Sequence, residues 1–165
     1  MKINQQKVIL AASFLVIIGF QTAGEAQQKF DRSVFYKVMA SGDTIAINNE
    51  QKVIAGASLD NKEGYEGALL MKKSGMIGRP KEKLKLFKTG KNKLEAALRA
   101  DSLNTEFHFL RLVIEEQAPK IVKYNYHLEK DKLFIQNNFK NLSPVVQQAI
   151  LDYCKKSKVL HAEDF

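Results

Sequence analysis

The chain has 165 residues, 26 Lys and Arg against 18 Asp and Glu, a net charge of +8 and 45% hydrophobic residues. That hydrophobic content excludes an intrinsically disordered chain, and the length suits one compact domain able to bury its own core without staples. A lone cysteine, Cys154, excludes an internal disulfide.

The first predicted element is an export signal. Lys2 and Lys7 form a positive start, and Val8 to Phe20 is an apolar run broken only by Ser13 and Gly19. Gly24 and Ala26 are small residues at positions −3 and −1 of a cut after Ala26. This order predicts a cleavable secretory signal peptide over residues 1–26. The run is shorter than the roughly 20 apolar residues of a spanning helix, which places cleavage ahead of a retained anchor. No cysteine stands at the cut to carry a lipid. The mature chain, 27–165, is expected to be soluble and periplasmic or secreted. Without Lys2, Lys7 and Glu25 it keeps 24 cations against 17 anions, a net +7.

From there the pattern is helical almost throughout, with no Asn-Gly hairpin signal. Residues 27–30 read as a tail. Asp31 is placed to cap a short helix carrying Val34, Phe35, Val38 and Met39. Gly42 is placed to end it in a left-handed conformation, and Asp43 to cap a second helix running to about Gly56. Asp60 or Asn61 caps a third helix through Met71, where Tyr65, Ala68, Leu69 and Lys72 step by three and four. Gly75, Gly78 and Pro80 make 74–80 a loop, with Pro80 in the first turn of a long helix to near Ala100. A turn over 101–104 leads to a helix from Thr105 to Ala118, striped by Phe107, Leu110 and Ile114 and stopped by Pro119. Residues 120–126 fit either an extended piece or a helical turn. Leu128, Ile135, Phe139 and Leu142 fit another helix. Ser143 as N-cap and Pro144 at the next position start the last helix, which carries Val146, Ile150 and Tyr153 to about Val159 before a loose tail. Helices of this length joined by short turns stack in antiparallel pairs. The predicted fold class is therefore all-α, a bundle or short array of about six to seven helices.

Three stretches carry a family likeness. Ala96-Ala97-Leu98-Arg99-Ala100-Asp101-Ser102-Leu103-Asn104 resembles the end of a tetratricopeptide repeat, where a helix closes on Ala and a D-P-x-N turn leads onward. Tyr65-Glu66-Gly67-Ala68-Leu69-Leu70-Met71 has small residues where closely packed helices touch. Asn104-Thr105-Glu106-Phe107-His108-Phe109-Leu110-Arg111 is similar to the helix after such a turn in small exported bacterial proteins of uncharacterised function. Ser102 stands at the proline position, and no second clean copy lies about 34 residues away. Over roughly 62–119 the resemblance implies one or two repeat-like helix pairs, a protein or peptide as partner, and no catalytic residue.

Catalytic and metal patterns are sparse. The chain has no Gly-rich phosphate loop and no His-Glu-x-x-His. His108, His127 and His161 are far apart, with no carboxylate at ligand spacing on the same helix, so neither metal nor cofactor is expected. His108, beside an apolar stripe, reads as a partly buried helix residue. Glu115 and Glu116 point about 100° apart on a helix and form no dyad. Arg111 precedes Glu115 by the i,i+4 spacing of an ion pair. Cys154 shares a face with Val146, Ile150 and Tyr153, which predicts burial. Ser143 lacks a nucleophile-elbow context, and the sequon Asn141-Leu142-Ser143 is followed by Pro144.

The positive charge concentrates at Lys72, Lys73, Arg79, Lys81, Lys83, Lys85, Lys88, Lys91, Lys93 and Arg99, opposed only by Glu82 and Glu95. The plain reading of that stretch is a solvated helix face. Two functional expectations follow. The first is a non-enzymatic exported interaction or scaffold protein that docks a protein or peptide. The second is a polyanion or membrane-surface binder using 72–99, with Lys81, Lys85 and Lys88 as the candidate surface. Export makes nucleic acid a poor partner. A concave groove lined by Tyr124, Tyr126 or Phe109 favours the first, and a sealed core with a basic ridge favours the second. Oligomeric state stays open.

Overall fold

Side-chain caps and chain breakers set the helix boundaries. The computed structural model describes residues 29–165, and the predicted signal peptide over 1–26 lies outside them. Among the described residues there are seven α-helices and no strand: α1 Arg32–Ala40, α2 Thr44–Gly56, α3 Lys62–Ser74, α4 Pro80–Ala100, α5 Thr105–Gln117, α6 Leu128–Asn138 and α7 Pro144–Cys154. The all-α class is as predicted. Residues 120–126, ambiguous in sequence, begin with a short 3-10 turn at Lys120–Val122. None of the described helices is long and apolar enough to cross a membrane.

Three caps form as their residue types suggest. The Asp31 carboxylate accepts from the Ser33 and Val34 amides at 2.7 and 3.4 Å. Asp43 accepts from the Ile45 amide at 2.8 Å, and Asn104 Oδ1 from the Phe107 amide at 3.1 Å. Each such cap contributes about 1 kcal/mol. In the turn before α5, Asp101 also accepts from the Leu103 amide and the Asn104 side-chain amide.

Three cap expectations are corrected in their bonding, although α3 and α7 begin where predicted. No described glycine has a positive φ, so Gly42 is not the stop of α1. Ser41 takes that place in extended backbone, its amide and hydroxyl both reaching the Val38 carbonyl. Asn61 precedes α3 in a left-handed conformation, φ 56°, and makes no side-chain cap bond. A capping side chain reaches its amide from extended backbone, which Asn61 does not have. Ser143 likewise starts α7 through its carbonyl, which accepts from the Val146 and Gln147 amides, and not through its hydroxyl.

The tail beyond α7 is the fourth correction. The helix stops at Cys154, and the residues after it are tied down. Ser157 Oγ donates to Glu116 Oε2 at 2.7 Å, and the Lys158 amide donates to Glu116 Oε1 at 2.6 Å. Leu160 is fully buried, and the Phe165 ring lies 4.6 Å from that of Phe139. The partner that orders this segment sits on α5, about 40 residues earlier, so no local pattern announces it.

The helices α3 and α4 approach most closely. A Cβ added at Gly67 would meet the Gly90 carbonyl oxygen and the Leu94 amide nitrogen, both at 2.6 Å; one added at Gly90 would meet the Gly67 carbonyl oxygen at 2.6 Å. Gly67 faces Leu94 while Gly90 faces Met71, so the two helices run antiparallel. A helical glycine costs about 1 kcal/mol against alanine. Here that cost is offset by backbone-to-backbone contact no larger residue allows.

Two apolar clusters fill the interior. One gathers Phe35, Ile47, Ile54, Leu69, Leu94, Phe107, Leu110 and Tyr124. The other gathers Phe109, Leu112, Ile135, Val146, Ile150 and Leu160. Tyr36 packs against both. The helix α5 supplies both, because its successive faces are covered by α3 and α4 on one side and by α6 and α7 on the other. Its polar residues Glu106, His108, Arg111 and Glu115 are buried as a result.

Candidate functional site

A buried polar group must find a partner or cost several kcal/mol, and those of α5 find partners on every neighbouring helix. Glu106 accepts from the Tyr36 hydroxyl at 2.9 Å, the Tyr65 hydroxyl at 2.8 Å and Arg32 Nε at 3.1 Å. It thereby joins α1 and α3 to α5. Burial, then the Glu106 charge, push both phenols well above their ordinary range.

The second node is Asp131, which is wholly buried. Arg111 grips it as a fork, Nε to Oδ2 and Nη2 to Oδ1, both 2.7 Å. His108 Nδ1 lies 2.7 Å from Oδ1, and its Nε2 lies 2.9 Å from the Ser102 carbonyl oxygen. Burial pushes the Asp131 carboxyl up, and the bonds from Arg111 and His108 outweigh it and hold the group below the usual carboxylate range. His108 is buried, more deeply than the partly buried position expected beside the apolar stripe.

The network continues past Arg111. Its Nη1 donates to Glu95 Oε2 at 3.1 Å, and the Tyr124 hydroxyl donates to Glu95 Oε1 at 2.6 Å. Glu115 accepts from the His127 amide at 2.9 Å and faces His127 Nδ1 at 2.7 Å. The expected Arg111–Glu115 pair therefore does not form. A planar two-pronged pair with a buried carboxylate is stronger than a one-turn surface pair, and Arg111 turns toward α6 and α4. The ligand atoms of Glu95, Glu115 and His127 all lie within 4.8 Å of one another. Sequence spacing hides this convergence, since the three stand on α4, on α5 and just before α6.

Beside this network an apolar groove of about 480 Å³ opens between α1, α5 and α7. Tyr36, Met39, Phe109, Val113, Val145, Ala149 and Tyr153 wall it, with Lys37 and Lys156 among its exposed polar residues. The Tyr36 and Tyr153 hydroxyls are bonded to Glu106 and Glu116, each at 2.9 Å. Their polar tips are thus engaged within the fold, and the rings serve as wall. Of the three aromatic residues expected to line a groove, only Phe109 does so. Tyr124 is buried in the first cluster, and Tyr126 stands exposed outside the groove lining.

The basic stretch is thinner in space than in sequence. Lys93 pairs with Glu66 at 2.6 Å, Arg79 with Glu82 at 3.0 Å, and Lys91 lies over the Tyr124 ring. Lys81, Lys85 and Lys88 remain exposed on α4 at i, i+4, i+7 spacing, next to a half-exposed Leu84. Cys154 is half-buried, and burial pushes its thiol up, which opposes thiolate chemistry.

Glu50 is the discordant buried group. It is 4% exposed, and its Oε1 has no hydrogen-bond partner among the described residues. Burial, then the Asp31 charge, raise its carboxyl above the ordinary range. A raised carboxyl adds stability below its unfolded value and loses it as pH rises through the folded one. Glu50→Gln is therefore expected to raise stability at pH 7 by about 1 kcal/mol. In thermal unfolding the gain should shrink toward zero near pH 4.

The chain matches no protein-family model, no curated protein and no solved structure. The class its geometry defines is an all-α protein with a buried ionic network along α5 and an apolar groove beside it.

Proposed function

We propose that this chain is an exported, non-enzymatic helical binding protein whose α1–α5–α7 groove takes an apolar stretch of a partner peptide. The observation that carries this reading is the groove itself, whose tyrosines keep their hydroxyls bonded within the fold and offer ring faces. Its volume of about 480 Å³ suits a few apolar side chains. Lys37 and Lys156 on the lining, against a single Asp152 that is paired with Lys155, favour an acidic flank in the occupant. The buried polar residues of α5 are engaged with partners on neighbouring elements, which leaves recognition to this apolar surface. Export rests on the charge, apolar run and small-residue cut of residues 1–26.

Selection from a displayed library of random peptides tests the reading on the purified protein. The expected winners carry two or three large apolar side chains beside Asp or Glu. Val145→Arg and Ala149→Glu should each weaken them about 10-fold or more, a loss of about 1.4 kcal/mol, with little change in melting temperature. An unenriched library, or unchanged binding by both variants, rejects the groove.

A second reading rests on Lys81, Lys85 and Lys88, exposed together on α4. If vesicles rich in anionic lipid bind with steep salt dependence, and joint reversal of these lysines to Glu abolishes it, surface binding replaces peptide capture.

A further inference from the structure

We propose that Glu95, Glu115 and His127 form a site for a divalent ion of the zinc class, clamping α4 to α5 and to the approach to α6. Three observations converge on it. The first is position: two carboxylates and an imidazole from three separate elements place their ligand atoms within 4.8 Å of one another. A tetrahedral ion bound at about 2.0–2.1 Å needs those atoms about 3.3 Å apart. Glu115 Oε1 and His127 Nδ1, now 2.7 Å apart, would separate slightly to accept the ion. The Glu115 side chain is fully buried, whereas those of Glu95 and His127 are 18% and 34% exposed.

The second observation is charge. Glu95 and Asp131 share one guanidinium, Arg111, and Glu115 lies beside Glu95 with His127 as its bonded partner. The carboxylates thus outnumber that one fixed cation in a region mostly removed from water. One divalent ion offsets the excess. Arg111 is held by Asp131 through two 2.7 Å bonds and also donates to Glu95 Oε2 at 3.1 Å, which leaves Glu95 Oε1, bonded to the Tyr124 hydroxyl, as its other ligand atom.

The third is the surrounding shell. Ligating carboxylates are usually oriented by hydrogen bonds from outside the coordination sphere. Here the Tyr124 hydroxyl holds Glu95, and the His127 amide holds the second oxygen of Glu115. Imidazole with two carboxylates suits zinc and its first-row neighbours and disfavours calcium and magnesium. Three protein ligands leave a fourth position, which water reaches past the partly exposed His127.

The test is calorimetric titration of chelator-treated protein with zinc chloride, paired with thermal unfolding. One ion per chain is expected, with a melting temperature raised by about 10 °C at free zinc about a hundred times Kd. Cobalt loading should give the visible spectrum of a four-coordinate site. His127→Gln, which retains a donor for Glu115, should weaken zinc about 100-fold and abolish that spectrum. Tyr124→Phe should weaken zinc about 10-fold, and His161→Ala should bind as wild type. In each variant the readout is the difference between zinc-loaded and zinc-free melting, so a loss of metal-free stability does not imitate loss of the site. Absence of stoichiometric binding by the wild type overturns the proposal, and so does unchanged zinc affinity in His127→Gln.

Discussion

Asp131→Asn is expected to lower the unfolding free energy at pH 7 by about 3–5 kcal/mol. The carboxylate is wholly buried and takes three bonds of 2.7 Å, two from Arg111 and one from His108. The amide is close in size, so no cavity opens. What is lost is the charge that justifies burying a guanidinium. The figure therefore measures an uncompensated Arg111, not the net worth of the intact network, because both groups also gave up hydration on folding. In a chain whose whole stability is about 5–15 kcal/mol, this is a large share. Urea unfolding should show a lower midpoint with an unchanged slope.

The same residue sets an acid limit. Its folded pKa is held below the ordinary value. Such a group adds stability above its unfolded pKa and loses it as pH falls through the folded one. The wild type should thus lose stability steeply below about pH 4, and Asp131→Asn should show a shallower acid limb. An equally steep limb in the variant would assign the acid loss to other carboxylates.

Gly67→Ala is expected to destabilise by about 1–3 kcal/mol, and Gly90→Ala by a similar amount. Helix propensity alone predicts the opposite sign, a gain of about 1 kcal/mol from alanine. Contact decides between them. The new methyl at either site meets backbone atoms of the facing helix at 2.6 Å, and backbone cannot swing aside as a side-chain tip can. The helices must part, with loss of contact along α3 and α4. Gly78→Ala is the control, since a Cβ there meets nothing within 4 Å, and its effect should stay within about 0.5 kcal/mol. Thermal unfolding at about 4 °C per kcal/mol separates these cases. A stabilised Gly67→Ala would mean that α3 and α4 do not cross at this point.

The Gly67 crossing was partly legible, because small residues at Tyr65-Glu66-Gly67-Ala68 already suggest close helices. The facing Gly90 was not, since one glycine in a lysine-rich helix looks like an interruption. The ionic network was almost illegible. Arg111 and Glu115 have the spacing of a surface pair, yet each bonds to residues 12 to 20 positions away. The i,i+4 rule describes a helix with one face in water, and α5 has none to spare. The groove was legible only as a general expectation of concavity, and of its expected aromatic residues Phe109 alone was placed correctly.

The sequence by itself determined the all-α class, most helix boundaries and the capping roles of Asp31 and Asp43, because helical period, caps and proline stops act within a few residues of themselves. The export signal proposed for residues 1–26 likewise rests on consecutive residues. Only the tertiary structure decided which polar residues are buried, who partners them, and that the segment after Cys154 is anchored by Glu116. Those outcomes depend on which helix covers which face. That is set by packing among elements distant in the chain, where one local pattern serves equally for a solvated face and a buried one.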